Sequence, residues 1–356
     1  MAVALTTLGH QAALFHDATS LEQAGGAGRW DCSVAIGSRY GCFDAGVPVY
    51  ERLNLPHFQW IVDNPYKASL PSWGHPLLRS VVIDQEFIGF GPVAHNGTLF
   101  LPLGTDLKAD RGASCRDLDI VFTGQVKDPD EAWLELRQLP SAVVSAALPW
   151  MERVLTAADC SLLRSFEAEF PEEALAPELR AELFLRVNSF VRSWKRQQVL
   201  LSVQRLPVHV FGSVRNPRVL AIAGFRFHGP IPYRELDSVL CRSRIALNVT
   251  PNFHAGCHDR IITALACGAL AATDTNPYLE RHFVDGVDLL AYRYESLDRL
   301  EAHLTQALAD GSWERLARSG RQVVERNFTW MRVAGRFVDA VHAALPALRL
   351  STPQAS

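Results

Sequence analysis

The sequence lacks the features that mark several large classes of protein. No run of about 18 apolar residues occurs in the 356 residues, which argues against a membrane-spanning helix. The formal net charge is −3, so the chain has no surplus of basic residues for binding nucleic acid or an anionic membrane. The N-terminus has no basic start followed by a long apolar segment. We therefore expect no secretory signal and a cytoplasmic location.

The cysteines do not show a pattern typical of a disulfide framework. The seven cysteines are scattered, odd in number and form no C-x-x-C pair, which favours reduced thiols over disulfides. His254, Cys257 and His258 lie close together, but no fourth ligand follows at a spacing typical of zinc. The sequence therefore predicts no metal site and no resident cofactor.

The common nucleotide-binding signatures are also missing. There is no G-x-G-x-x-G and no G-x-x-x-x-G-K-[ST], so a dinucleotide oxidoreductase and a P-loop enzyme lose their main support. A D-P-D triplet at residues 128–130 opens a predicted helix, where helix capping explains it.

The apolar pattern alternates between strands and helices. Residues 128–205 read as largely helical, with a long amphipathic helix over 178–203. This alternation predicts an α/β protein with parallel sheets and two Rossmann-like domains joined near residues 105–117. Short apolar runs, of which the first four end in Gly or Asp, predict the main strands, at 32–37, 58–63, 80–84, 98–104, 119–124, 208–212, 223–229, 244–249, 269–273 and 288–292.

A strand, loop, helix and strand follow one another over residues 244–273. The loops 250–257 and 274–277 should lie at the carboxyl edge of the sheet, where open α/β sheets bind ligands. The helix starts with His258, Asp259 and Arg260, and its N-terminus offers unpaired N–H groups to an anion. Gly256 lets the backbone approach a phosphate, and His258 or Arg260 adds a directed donor. Thr263 is expected on or near the same rim.

Two explanations of this helix start remain open. Asp259 suits a helix cap, or an acceptor for sugar hydroxyls, better than a phosphate ligand. Charged residues at a helix start are also ordinary capping in many proteins, and Arg260 could be a solvated surface residue.

The segment HDRIITALACGALAATDTNPY (258–278), with PYRELDSVLCRSRIALNVTPN before it and FTW after it, resembles GT-B glycosyltransferases. The nearest group is the CgeB-like, spore-maturation type. This resemblance covers residues 205–340 well and implies two Rossmann-like domains facing a cleft. It implies an acceptor domain at 1–115, a nucleotide-sugar domain at 116–330, and a last helix at 331–346 that crosses back to the first domain.

The resemblance also implies roles for individual residues. His228 and Gly229 would lie beside the nucleobase, and the 250–260 loop and helix start would hold the diphosphate. The donor-binding residues implied in this way are Gly124, Gly212, Ser213, His228, Gly229, Thr250, Asn252, Gly256, His258, Asp259, Arg260, Thr263, Asp274, Thr275 and Asn276.

The sequence departs from the family at one point. Many relatives carry a glutamate that clamps the ribose where this chain has Thr263, and some carry a further acid where it has Ala255. A threonine hydroxyl binds a sugar hydroxyl more weakly than a carboxylate does. This puts the ribose contact, the donor identity and a retaining mechanism in question.

A catalytic base, if the reaction inverts, has one preferred candidate. Asp63 ends a predicted strand of the first domain, although an aspartate before Asn64 and Pro65 is equally a turn residue. Weaker candidates are Asp84, Glu86, His75 and His95.

We therefore predict a metal-independent glycosyltransferase that uses a nucleotide-sugar as co-substrate and an acceptor that is a glycan, a protein or a small molecule. A nucleotide-sugar 2-epimerase and a non-catalytic binding or scaffold protein of the same fold are the alternatives.

Overall fold

A computed structural model describes residues 1–15, 18–24, 30–37, 43–44, 47–67, 75–89, 97–109, 112, 115–157 and 160–350. The chain divides into unit 1, which contains Met1–Gly104 and Phe328–Ser356, and unit 2, which contains Thr105–Asn327. Among the helices of the described ranges, none combines the length and the apolar character that crossing a membrane requires.

Unit 1 is built on a parallel sheet of four strands in the order β1-β4-β5-β6, beside a short antiparallel pair, β2 and β3. Short 3-10 helices follow β4 and β5, at Pro65–Lys67 and Gln85–Phe87. The helices and strands before residue 104 are α1 (Ala2–Thr7), α2 (Ala18–Gln23), β1 (Ser33–Ile36), β2 (Phe43–Asp44), β3 (Val47–Pro48), α3 (Val49–Arg52), β4 (His57–Ile61), β5 (Leu78–Val82) and β6 (Leu99–Phe100).

Unit 2 is built on a second parallel sheet of six strands in the order β12-β11-β10-β7-β8-β9. Its strands are β7 (Leu118–Thr123), β8 (Val208–Phe211), β9 (Arg226–Gly229), β10 (Ser243–Asn248), β11 (Leu270–Asp274) and β12 (Leu290–Tyr292). Its helices are α4 (Pro129–Leu136), α5 (Ser141–Thr156), α6 (Leu162–Glu169), α7 (Pro177–Ser202), α8 (Pro217–Leu220), α9 (Leu236–Leu240), α10 (Asp259–Ala266), α11 (Pro277–His282), α12 (Leu300–Ala309) and α13 (Ser312–Asn327).

The last helix, α14 (Trp330–Leu350), belongs to unit 1. The Phe337 ring meets the Phe58 ring edge-on at 5.4 Å and stacks on the Trp60 ring at 6.0 Å. Both partners lie in β4, whose five residues are all buried. The α/β class, the parallel sheets in two units and the return of the last helix are therefore confirmed.

The strand order of unit 2 creates a switch point. The chain runs from β7 outward through β8 and β9, and then crosses to the other side of β7 to form β10, β11 and β12. Loops after β7 and β10 therefore diverge in opposite directions and leave a crevice at the carboxyl edge between these two strands. In open α/β sheets this is where ligands bind.

The segment predicted as a linker packs on unit 2. The amide of Lys108 donates to the carbonyl of Ala266 at 3.2 Å, and its ammonium lies 2.7 Å from Asp237. Arg116 is buried and donates to the carbonyls of Ser243 at 2.6 Å and Cys267 at 2.8 Å. These contacts explain why the chain divides after residue 104, whereas the sequence places its boundary after residue 115.

Candidate anion-binding site at the switch point of unit 2

Helix α10 begins at the crevice beside the carboxyl end of β10. His258 is its N-cap residue, and Asp259 and Arg260 form the first turn, while residues 261–266 are buried. Asp259 is surrounded by donors: its Oδ1 lies 2.5 Å from His258 Nδ1, and its Oδ2 accepts from the hydroxyl of Tyr233 at 2.7 Å. The amide of Arg260 also donates to Asp259 Oδ1, at 2.9 Å. Asp259 therefore orders the helix start.

These contacts set the charge of Asp259. Burial alone would raise the pKa of the carboxyl group, but the electrostatic interaction with His258 and the hydrogen bonds from His258 and Tyr233 lower it below its ordinary value. Asp259 is therefore ionised at neutral pH, and its oxygens are occupied by protein donors.

Arg260 reaches from the helix start to the end of the neighbouring strand β7. Its Nη1 donates to the carbonyl of Thr123, and its Nη2 lies 3.2 Å from His258 Nε2. A Cβ atom on Gly124 would lie 2.8 Å from this Nη1, so the glycine leaves the space that the guanidinium fills. Arg260 is thus held in the crevice itself.

Helix α7 adds three cations that the sequence analysis did not find. Arg192, Lys195 and Arg196 are spaced by three and four residues, which places them on one face of the helix. Lys195 and Arg196 are buried, and Arg196 Nη1 donates to the carbonyl of Gln125 at 2.7 Å, just beyond β7. The Nε atom of Arg196 is buried without a hydrogen-bond partner.

The pKa shifts of the basic side chains have causes in common. Burial, followed by the charges of Arg192 and Arg260, lowers the pKa of Arg196 well below its ordinary value. Burial is also the main cause that lowers the pKa of Arg260 and that of Lys195. The charge of Asp274 acts in the opposite direction and raises the pKa of Arg196, Arg260 and Lys195. We call Arg192, Lys195, Arg196 and Arg260 the cation cluster.

Asp274, at the end of β11, holds the loop after β10 by hydrogen bonds. Its carboxylate accepts from the amide of Thr250 at 2.9 and 3.0 Å, from the Thr250 hydroxyl at 3.1 Å and from the Tyr294 hydroxyl at 2.7 Å. Since Asp274 is committed to these donors, it offsets only part of the charge of the cation cluster.

Asn276 holds the loop that leads into α10. Its Nδ2 donates to the carbonyls of Phe253 at 2.9 Å and Gly256 at 3.1 Å, and its Oδ1 accepts from the amide of Leu279 to cap α11. A cavity of about 40 Å³ opens beside this loop. Its lining includes Lys195, Thr250, His254, Asp274, Thr275 and Asn276.

Two further predicted residues lie near this loop. The Thr275 hydroxyl donates to Glu280 Oε1 at 3.2 Å, and Asn252 is half-buried in the turn before Phe253. The loop therefore brings together Thr250, Asn252 and Gly256 with Asp274, Thr275 and Asn276, as the sequence placed them.

The predicted glycines after β7 and β8 are needed for packing. A Cβ atom on Gly212 would lie 1.9 Å from the carbonyl oxygen of Gly124, which no side chain tolerates. The amide of Gly124 donates to the carbonyl of Phe211 at 2.9 Å, and the carbonyl of Ser213 accepts from Val126 at 2.9 Å. The two turns therefore pack backbone against backbone.

His228 lies on β9, at the far side of β8 from the cation cluster. Its ring stacks on Phe211 at 4.3 Å, and its Nε2 lies 2.9 Å from His209 Nδ1. Gly229 follows with φ +75°, and its carbonyl accepts from the amide of Gly212 at 2.8 Å. His228 is exposed, so one side of its ring remains open to solvent.

Thr263 does not stand on the rim. It is buried inside α10, and its hydroxyl lies 3.5 Å from the hydroxyl of Thr105. The helical periodicity turns position 263 away from the helix start. The Thr263 side chain is therefore an internal contact of unit 2.

Asp63 lies in unit 1, two residues after the end of β4, and is half-buried. The next residue, Asn64, forms a turn by accepting from the amide of Tyr66 at 2.9 Å. Asp63 thus stands at the carboxyl edge of its own sheet, and its catalytic role stays a prediction.

Two of the weaker candidates, Asp84 and His75, have structural roles. Asp84 is buried after β5 and accepts from the amide of Glu86 at 2.8 Å, as the cap of a 3-10 helix. His75 Nδ1 accepts from the amide of Leu77 at 3.2 Å. His95 lies outside the described residues.

Within the described ranges, no group of three His, Cys, Asp or Glu side chains is placed to hold a metal ion. Cys257 is buried, and burial raises the pKa of its thiol. The expectation of a metal-independent reaction stays a prediction.

One family model matches part of the chain. Residues 186–339, somewhat less than half of the chain, match a family model described as glycosyl transferase-like. The matched segment begins in α7 and includes the cation cluster and the whole loop before α10. No curated protein sequence matches the chain.

Several solved structures are similar in fold at low sequence identity. Sucrose-phosphate synthase from Thermosynechococcus elongatus matches 84% of this chain and 71% of its own, with 13% identity and a TM-score of 0.49. Anabaena HepE, solved in complex with UDP-glucose, matches 83% and 74%, with 9% identity and a TM-score of 0.48. AviGT4, a glycosyltransferase involved in avilamycin A biosynthesis, matches 88% and 98%, with 10% identity and a TM-score of 0.47.

Proposed function

We propose that this chain, which the family match identifies as a glycosyltransferase, transfers a sugar from a nucleotide-diphosphate donor whose diphosphate binds the cation cluster. The match identifies the class of enzyme. The donor nucleotide, the sugar, the acceptor and membership of the CgeB-like group are parts of the proposal.

The observation that carries the proposal is the buried guanidinium of Arg196. Its Nε has no hydrogen-bond partner, and the cations that act on it are Arg192 and Arg260. Moving an ion out of water costs several kcal/mol unless charge and hydrogen bonds compensate it. Asp274 is committed to Thr250 and Tyr294, so the compensation within unit 2 is incomplete. A dianionic ligand supplies both the charge and the acceptors.

The place and the shape of the site suit a diphosphate. Arg196 and Arg260 both reach the end of β7 at the switch point, and the start of α10 adds its positive dipole end. Guanidinium groups bind phosphate oxygens with two parallel hydrogen bonds. Glycosyl transfer leaves negative charge on the departing diphosphate, and oriented cations stabilise that charge in the transition state. In this proposal the four side chains do the work that a divalent ion does in other transferases.

The test compares two arginine variants on the same helix. Arg196→Met removes the charge but keeps most of the side-chain volume. Arg186→Met is the matched control, because Arg186 is paired with Glu182 on α7 outside the cation cluster. Binding of UDP, GDP, dTDP, CDP and pyrophosphate is measured by isothermal titration calorimetry, and stability by thermal unfolding.

The two readouts should move in opposite directions. Losing a hydrogen bond to a charged group costs about 1.5–3 kcal/mol, so Arg196→Met should weaken diphosphate binding at least about tenfold. The ligand-free variant should be as stable as the wild type or more stable, because it buries no uncompensated charge. Arg186→Met should bind normally. Normal binding by Arg196→Met would remove the cation cluster from the mechanism.

One observation supports a non-catalytic alternative. Thr263 stands where relatives carry a glutamate, and its side chain is buried against Thr105. A binding or scaffold protein would bind the nucleotide diphosphate without consuming any nucleotide-sugar. A 2-epimerase would isomerise the sugar with no acceptor present. Incubation with the donor that binds best, followed by NMR of the products, distinguishes these outcomes from transfer.

A further inference from the structure

A continuous set of hydrogen bonds connects an exposed tyrosine to the cation cluster. The Tyr233 hydroxyl donates to Asp259 Oδ2 at 2.7 Å, and Asp259 Oδ1 lies 2.5 Å from His258 Nδ1. On the other side of the imidazole, His258 Nε2 lies 3.2 Å from Arg260 Nη2. Arg260 Nη1 then donates to the carbonyl of Thr123 at the end of β7. Each group in the series fixes the next.

The distances assign the protons in this series. His258 Nδ1 cannot both donate to Asp259 and accept from the Arg260 amide, which lies 3.3 Å away. The contact of 2.5 Å with an ionised carboxylate is the stronger one, so Nδ1 carries the proton. Nε2 then has a free lone pair and accepts from Arg260. The orientation of the guanidinium therefore depends on the orientation of the imidazole.

Tyr233 contributes little to the core. It begins the 3-10 helix Tyr233–Glu235 after β9, and 71% of its surface is exposed. Helix α10 does not need the tyrosine as a cap, because Asp259 already accepts from the amide of Arg260. What the phenolic hydroxyl does fix is the second oxygen of Asp259, and through it the plane of the carboxylate that holds His258.

We propose that Tyr233 is a positioning residue of the diphosphate site, which acts through Asp259 and His258 to hold Arg260 in its binding orientation. This inference rests on the proposed function. A guanidinium that is held before the ligand arrives loses less freedom on binding, so the anion binds more tightly.

The experiment uses Tyr233→Phe, which removes one oxygen atom and keeps the ring. Pyrophosphate and UDP serve as the two probes, and the affinity of each is measured by calorimetry for the wild type, Tyr233→Phe, Arg260→Lys and the double variant. Thermal unfolding of each variant checks that the fold is intact. Pyrophosphate has no base, so it reports on the anion site alone.

The expected result is an equal loss for both probes. Tyr233→Phe should weaken pyrophosphate and UDP by the same factor, about fivefold, since one hydrogen bond in the series is removed. In the Arg260→Lys background the same change should have an effect of less than about twofold, because the guanidinium that it positions is absent.

Three outcomes would overturn the proposal in distinguishable ways. A loss for UDP with none for pyrophosphate would mean that Tyr233 contacts the nucleoside instead. Equal losses in both Arg260 backgrounds would mean that its effect does not pass through Arg260. If the wild type binds neither probe, the diphosphate site itself is wrong, and the proposed function fails together with the role of Tyr233.

Discussion

Acidification should destabilise unit 1 through one buried histidine. His57 begins β4 and is only 1% exposed, its Nδ1 lies 2.8 Å from the Ser33 hydroxyl, and its ring stacks on Tyr50 at 4.9 Å. Its Nε2 is buried without a hydrogen-bond partner. Burial lowers the pKa of His57 from 6.5 to about 4, with a small opposing effect of Gln59.

The shift in the pKa of His57 determines both the direction and the size of the change in stability with pH. The folded state favours the neutral ring, so below pH 6.5 the unfolded chain takes up a proton that the folded chain rejects. Stability is therefore fully present above pH 6.5 and is lost progressively down to about pH 4. At 1.36 kcal/mol for each pKa unit, the whole loss is about 3 kcal/mol.

Native-state hydrogen exchange of the β4 amides measures this loss within unit 1. The opening free energy of Phe58, Trp60 and Ile61 is compared between pH 7 and pH 4.5 in the wild type and in His57→Gln. The wild type should lose about 2.5 kcal/mol more than the variant, because the other titrating groups are common to both. The same pH dependence in the two proteins would refute the assignment to His57.

Two more predictions concern packing and catalysis. Gly320→Ala and Gly335→Ala both replace a helical glycine: a Cβ atom at 320 would lie 2.1 Å from the carbonyl oxygen of Asp288, whereas at 335 it meets nothing within 4 Å. Thermal unfolding should show a gain of up to about 1 kcal/mol for Gly335→Ala and a clear loss for Gly320→Ala, and a gain at both positions would contradict the packing of α13. Asp63→Asn keeps the shape of the turn and, if Asp63 is the base, should slow donor turnover about a hundredfold without changing nucleotide affinity. Unchanged turnover would assign the base elsewhere.

The strands of unit 2 were predictable because their signal is local. Residues 119–124, 208–212 and 244–249 were predicted as strands, and the structure has β7, β8 and β10 within one residue of each end. Buried parallel strands are short, continuous apolar runs, and a glycine ends the runs 119–124 and 208–212. The loop before α10 could be located for the same reason.

The cation cluster could not be predicted from a local sequence pattern. Periodicity predicts the long helix over 178–203 but does not show which of its cations are buried. Arg196 donates to the carbonyl of Gln125 after β7, and Lys195 lines the cavity beside Asp274, so the surroundings of these buried cations come from parts of the chain that are far apart in sequence. The spacing of Arg192, Lys195 and Arg196 places all three on one face of the helix. Cations on a solvated face have the same spacing, so the pattern does not by itself indicate burial.

The N-terminal part was the least predictable. The pair β2 and β3 and the helix α3 have two to four residues each, too few for a periodic pattern. Thr263 shows the same limit at a single position, because the spacing placed it near the helix start while packing against Thr105 places it inside.

The return of α14 to unit 1 sets an order for biosynthesis. Unit 1 begins the chain, yet the aromatic partners of Phe58 and Trp60 among the described residues follow all of unit 2. A ribosome therefore releases every residue of unit 2 before the earlier sheet can bury its β4 rings. During that interval the nascent sheet exposes apolar surface to solvent and to chaperones, while unit 2 can already be complete.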